Sequence, residues 1–127
     1  MPVQLNHTIV SVRDKHESAT FLVEILGLEQ PTRFGRFLVV QVDNDVSLDF
    51  ADDDGPVHPR HYAFLVGDAE FEQIFDRIRA RGLPYWADPG RRRPGETNTN
   101  DGGRGVYWED PSGHLLEIIT RPYGSGG

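Results

Sequence analysis

The hydrophobic pattern changes period several times along the chain, and each change marks an element. Residues 5–12 (Leu-Asn-His-Thr-Ile-Val-Ser-Val) alternate and are β-branched, which predicts a strand. Phe21, Leu22, Ile25 and Leu26 then fall at helical spacing, so a helix is expected over 15–28, with Gly27 placed to stop it. Residues 37–42 and 46–50 are two apolar runs separated by Asp43-Asn44-Asp45, the signature of a hairpin, and a short strand near 31–35 precedes them.

After the polar stretch Asp52-Asp53-Asp54-Gly55-Pro56 the order restarts. Residues 61–66 read as a strand. Phe71, Ile74, Phe75 and Ile78 then lie at i, i+3, i+4 and i+7, predicting a helix over 68–82 with Asp68 as N-cap and Gly82 just past its end. Strands are expected at 84–87, 105–108 and 115–120. The segments form module one (about 3–52), a linker (53–60), module two (about 61–121) and a flexible Gly-rich tail (122–127).

The two modules repeat one another. Six residues separate His7 from Asp14 and six separate His61 from Asp68, each pair leading from a strand into a helix. Each helix ends in Gly-Leu, and each module closes on a carboxylate between apolar neighbours, Leu48-Asp49-Phe50 and Leu116-Glu117-Ile118. A repeated supersecondary unit constrains a fold more than propensity does. The expected architecture is α+β: two βαβββ modules in tandem forming a mixed-sheet cup, within a single domain spanning 1–127.

Strand parity then selects candidate chemistry. Leu5, His7 and Ile9 share one face of the first strand, His61, Ala63 and Leu65 one face of the fifth, and Leu115, Glu117 and Ile119 one face of the last. If each helix covers the other face, both histidines and Glu117 line the open one, and Ser47 and Asp49 point the same way in module one. Two imidazoles and a carboxylate suit Fe, Mn, Co, Ni or Zn with open coordination positions. A mid-strand acid buried without a partner would be destabilising by several kcal/mol. The candidate metal ligands are therefore His7, His61 and Glu117, with Asp49 as a candidate fourth. His16, His58 and His114 read as solvated loop residues.

Composition narrows the partners. A net charge of −7 repels phosphate backbones and argues against nucleic acid. No apolar run is long enough to span a bilayer, and no basic and apolar leader opens the chain, so the expected location is the cytoplasm. With no cysteine there is neither a disulfide nor a thiolate site.

The paired modules, the Asn-His opening of strand one and the run Tyr107-Trp108-Glu109-Asp110-Pro111-Ser112-Gly113-His114-Leu115-Leu116-Glu117 together resemble the glyoxalase/bleomycin-resistance/extradiol-dioxygenase superfamily, also called vicinal oxygen chelate. The resemblance implies a divalent-metal enzyme, with His7, His61 and Glu117 as ligands and a small oxygenated substrate chelating through neighbouring oxygens. It also implies a homodimer, with the site built within one chain or across two. Glyoxalase I enzymes add a ligand from module one, where this chain offers Asp49. Fosfomycin-type transferases and hydrolases match the ligand count. Extradiol dioxygenases carry a histidine a few residues before the Tyr, where this chain has Asn98, Thr99 and Asn100. The rival reading is a metal-free, drug-binding cup of the bleomycin-resistance type. Tyr107 and Glu109 are catalytic candidates by motif position. Arg104, Asn100 and Trp86 are candidates for substrate binding, while Arg91-Arg92-Arg93 reads better as a solvated or ion-paired basic loop.

Overall fold

The alternation near the start of the chain becomes strand β1 (His7–Val12), in which Val10 and Val12 are buried and His7, Ile9 and Ser11 are exposed. In the computed structural model, which describes residues 2–126, the boundary between two compact units falls between His58 and Pro59. Each unit is a four-stranded mixed sheet with one helix.

In the first unit, helix α1 (Lys15–Leu26) begins at Asp14, whose carboxylate accepts the backbone N–H of His16 at 3.0 Å and of Glu17 at 3.1 Å. It stops at Gly27, whose φ of 74° lets the N–H groups of Gly27 and Leu28 both reach the Val23 carbonyl. Strands β2 (Thr32–Phe34), β3 (Phe37–Gln41) and β4 (Ser47–Asp52) follow, and the sheet order is β1-β4-β3-β2. β1 and β4 run parallel and the other pairs antiparallel. Helix α1 lies on β1, β3 and β4, and Ala19, Leu22, Val23 and Ile25 are buried with Val10, Val12, Val40, Leu48 and Phe50.

The second unit repeats the plan with β5 (His61–Leu65), α2 (Asp68–Ala80), β6 (Tyr85–Trp86), β7 (Gly105–Glu109) and β8 (Leu115–Ile119), in the order β5-β8-β7-β6. Phe71, Ile74, Phe75 and Ile78 are buried, as their spacing requires, together with Val106, Trp108, Leu116 and Ile118. The ladders repeat in register. His7 stands opposite Ser47 and Ile9 opposite Asp49, just as His61 stands opposite Leu115 and Ala63 opposite Glu117.

Two expectations need correction. Asp68 is not the N-cap of α2. Gly67 takes that position in extended conformation and its carbonyl accepts the Phe71 N–H at 2.9 Å, which leaves Asp68 inside the first turn. His114 is not solvated. Only 2% of it is exposed, its Nδ1 accepts the Arg60 N–H at 3.0 Å, and Tyr62 meets it edge-on. It continues the inward alternation of Leu116 and Ile118, so the Asp-Pro-Ser-Gly turn delivers it into the core. Asp110 fixes that turn by accepting the Ser112 and His114 N–H groups, each at 2.9 Å.

The segment between β6 and β7 is tied down. Ala87 and Arg93 bond through their backbones, Asn98 forms an antiparallel bridge with Gly105, and the Asn98 amide donates to the Ala87 carbonyl at 2.8 Å. Among the described residues no helix is long and apolar enough to cross a membrane.

Candidate metal and substrate site

Cross-strand pairing sets one row of side chains on the face of the second sheet opposite α2: Ala63, Glu117, Tyr107 and Trp86. Glu117 is at the centre of this row and only 8% exposed. Its Oε1 lies 3.0 Å from Nε2 of His61, while Nδ1 of the same ring lies 3.1 Å from the Leu115 carbonyl. The Tyr107 ring stacks on His61 with centroids 5.9 Å apart, and its hydroxyl donates to Glu117. Burial, then the hydrogen bond to Glu117, push the Tyr107 phenol well above its ordinary range, so it stays protonated and donates.

This geometry decides the histidine's protonation chemistry. A backbone carbonyl only accepts, so Nδ1 must carry the proton that faces Leu115. In the neutral ring Nε2 is then a lone pair aimed at a carboxylate oxygen. A contact of 3.0 Å between Nε2 and Oε1 accommodates either a shared proton or a metal ion. Ligands about 2.1 Å from one metal and at right angles sit about 3.0 Å apart, and metal-bound histidines usually donate their other N–H to a carbonyl in this way. The donor pair fits a divalent cation.

The first sheet presents the repeat-equivalent face. His7 is exposed there, with Nδ1 at 2.8 Å from the Asn6 side-chain oxygen. Asp49 is 9% exposed and accepts from the Ser47 hydroxyl at 3.1 Å. Among the described residues, no three His, Asp or Glu side chains gather closely enough to hold a metal ion. The structure thus brings His61 and Glu117 together, and His7 and Asp49 each belong to the other unit.

A cavity of about 410 Å³ opens onto Tyr107 and Glu117. Of the three candidates for substrate binding, Asn100 is among its lining residues and Arg104 and Trp86 are not. Arg104 extends the inward alternation of Val106 and Trp108, so its guanidinium lies over Phe71, 4.4 Å from the ring centroid, and pairs with Glu72. Trp86 lies in the Tyr107 row beneath Arg91, whose guanidinium is 5.5 Å from its ring. Arg91 also pairs with Glu109 at 2.7 Å, which occupies that second catalytic candidate. Arg93 pairs with Glu96, so the basic loop spends at least two of its charges on neighbouring acids. Sequence reasoning missed Arg121 and Tyr123, which also line the cavity. Both continue the odd-numbered alternation of Glu117 and Ile119 past the end of β8, a signal that was there to be read.

Comparison with known proteins agrees with this architecture. The Glyoxalase/Bleomycin resistance protein/Dioxygenase superfamily profile matches residues 4–118. The glutathione transferase FosA of Serratia marcescens is 32% identical over 121 residues, 90% of this chain and 78% of that protein. The solved structure of oxidase ChaP-H1 is 71% identical with a TM-score of 0.95, covering 97% of this chain and 99% of its own. Oxidase ChaP-H2 is 62% identical with a TM-score of 0.97, covering both chains fully.

Proposed function

The chain belongs to the glyoxalase/bleomycin resistance protein/dioxygenase superfamily, and on that premise we propose that it is a divalent-metal-dependent oxidase of a small oxygenated molecule. The observation that carries the reading is the His61–Glu117 contact, whose spacing suits two ligands of one divalent cation. Oxidation is favoured over thiol transfer because the two oxidases resemble this chain at 71% and 62% identity, against 32% for the transferase.

His7, His61 and Glu117 are the proposed ligands, with Asp49 as a candidate fourth. Fe, Mn, Ni, Co and Zn all suit such donors. When bound, the metal supplies Lewis acidity toward two neighbouring substrate oxygens. The chain's own residues orient and exclude. The Leu115 carbonyl fixes the His61 ring, and Tyr107 holds the Glu117 carboxylate and keeps its own proton. Glu109 pairs with Arg91 and stays a catalytic candidate by its motif position.

A second copy of the chain is the proposed partner. Leu5 and Ile9, which alternate with His7, are 67% and 49% exposed, and an apolar face of this kind is stabilised by a cover. A homodimer would cover it and bring His7 to a site from either chain.

A second reading comes from the same contact. A proton in place of the metal makes His61 an imidazolium paired with Glu117, and the chain is then a metal-free binding protein for a small molecule or antibiotic. Elemental analysis of untagged protein purified without chelators separates the two. The oxidase reading expects close to one metal per chain, lost in His61→Ala and in His7→Ala, and oxygen consumption with substrate. A chain that arrives metal-free and takes up none of the five metals on titration supports the binding protein instead.

A further inference from the structure

The cavity beside Glu117 is walled by two segments that hold each other. Asp101 sits in the left-handed region at φ 57° and its carboxylate accepts the N–H of Gly124 at 3.1 Å and of Gly126 at 3.0 Å. The tail closes into a turn through Ser125 N–H to the Pro122 carbonyl at 3.0 Å. The fit is close: a Cβ on Gly126 would come within 2.4 Å of the Asp101 Cα, and one on Gly103 within 2.7 Å of the Arg121 Cγ. Residues 122–126, which the sequence suggested as a loose tail, therefore form a clip that places Arg121 and Tyr123 at the cavity wall.

Arg121 is one of several arginines of this acidic chain with no ion pair among the described residues, and of these it is the one that lines the cavity. Arg79, Arg91, Arg93 and Arg104 each pair with an acid. Among the described residues Arg121 makes no ion pair, and its hydrogen bond goes to its neighbour's carbonyl, Nη1 to Thr120 at 3.1 Å. A guanidinium has five donors in a planar fork suited to carboxylate oxygens. Tyr123, which also lines the cavity, is 95% exposed and leaves a large ring face uncovered. Tyr107 and Glu117 line the same cavity.

We propose that Arg121 and Tyr123 form the substrate-recognition subsite for an aromatic acid bearing an oxygen next to its carboxylate. Arg121 receives one oxygen of the carboxylate, Tyr123 covers the ring, and the other carboxylate oxygen and the neighbouring oxygen face Glu117. Asp101 is a positioning residue that acts through the tail. The subsite rests on the reading of Glu117 and His61 as a substrate-facing centre and names the substrate class for it.

Titration calorimetry of the full chain with salicylate and its neutral amide, salicylamide, tests this. Salicylate should bind, and Arg121→Gln should weaken it by about tenfold or more, as expected for a lost charge-assisted hydrogen bond. Salicylamide should barely notice that change, Arg121→Lys should retain part of the affinity, and Tyr123→Ala should weaken both ligands. Asp101→Ala should weaken salicylate in the wild-type background and add nothing in the Arg121→Gln background, a non-additivity that general destabilisation does not produce. Undetectable salicylate binding, or equal affinity in wild type and Arg121→Gln, overturns the subsite. Methylphosphonate binding more tightly than salicylate and unaffected by Tyr123→Ala overturns the aromatic assignment. Metal content measured on the same samples keeps the readings apart. Metal retained with no Arg121 dependence sinks the subsite alone, whereas Arg121-dependent binding in a chain that never holds metal sinks the oxidase alone.

Discussion

Nε2 of His61 and Oε1 of Glu117 stand 3.0 Å apart on neighbouring strands, with the far nitrogen of the ring committed to the Leu115 carbonyl. The parallel β5–β8 register produces this contact, because it sets His61 opposite Leu115 and so one alternation away from Glu117. The pair is therefore a product of the sheet and does not depend on a loop.

Glu117→Gln tests what occupies that contact. The amide preserves shape, so the fold should persist with a nearly unchanged Tm. Metal affinity should fall by about a hundredfold or more, since the loss of an outer-shell partner alone weakens such sites by about ten- to a hundredfold. Unchanged metal binding in this variant would remove Glu117 from the ligand set.

Tyr107 gives a pH signature in the metal-free chain. Burial, followed by its bond to Glu117, raises its phenol pKa, so the folded state holds that proton more tightly than the unfolded chain. The sign follows: its contribution to stability is complete below the ordinary phenol value of about 10 and is lost as pH climbs past it. Absorbance titration near the tyrosinate band should show a late ionisation in wild type that Tyr107→Phe removes. If the variant leaves the last step unchanged, the late tyrosine is another one, Tyr62 being next in line because burial raises it too.

Much of this was legible in the chain because it depends on period and repetition. The alternation in residues 5–12 and the i, i+3, i+4, i+7 run from Phe71 gave the strand and the helix, and the His-to-Asp spacing gave the repeat. Parity set Glu117 on one face with Leu115 and Ile119, whereas Tyr107 was a candidate by motif position alone and only the β7–β8 register puts it opposite Glu117. The failures have local causes. His114 looked solvated because a Pro-Ser-Gly turn precedes it, yet Asp110 closes that turn from within and folds the ring inward. Arg104, a candidate substrate clamp, shares the parity of Val106 and Trp108 one residue before β7, which puts it on the helix face. Arg121 and Tyr123 were passed over because Gly-rich composition implies a free tail, and the two N–H groups that Asp101 holds are a tertiary feature that no local pattern reports.

Arg104 should be dispensable for ligand. Its pair with Glu72 is part-exposed on both sides, with side-chain exposures of 37% and 53%, and its contact with Phe71 lies on the helix face of the sheet. Arg104→Ala should lower stability by about 1 kcal/mol or less in chemical denaturation and leave salicylate affinity at the wild-type value. A loss of affinity comparable with that of Arg121→Gln would show that the guanidinium reaches the opposite face.

The two helices offer a closing contrast, because their starts look equivalent in sequence and differ in structure. Asp14 and Asp68 follow their histidines at the same spacing, but only Asp14 accepts backbone N–H groups at its helix start. Gly67 caps α2 without a side-chain bond, and Asp68 contributes only its charge near the positive helix end. Asp14→Ala should therefore cost about 1 kcal/mol, a fall of about 3–5 °C in Tm for a chain of this size. Asp68→Ala should cost a few tenths of that, and the smaller effect should shrink further in high salt because it is electrostatic. Thermal melts of the two variants, side by side at low and high salt, measure the difference. Equal losses would mean that Asp68 caps α2 after all and that the second module starts its helix one residue later, in full step with the first.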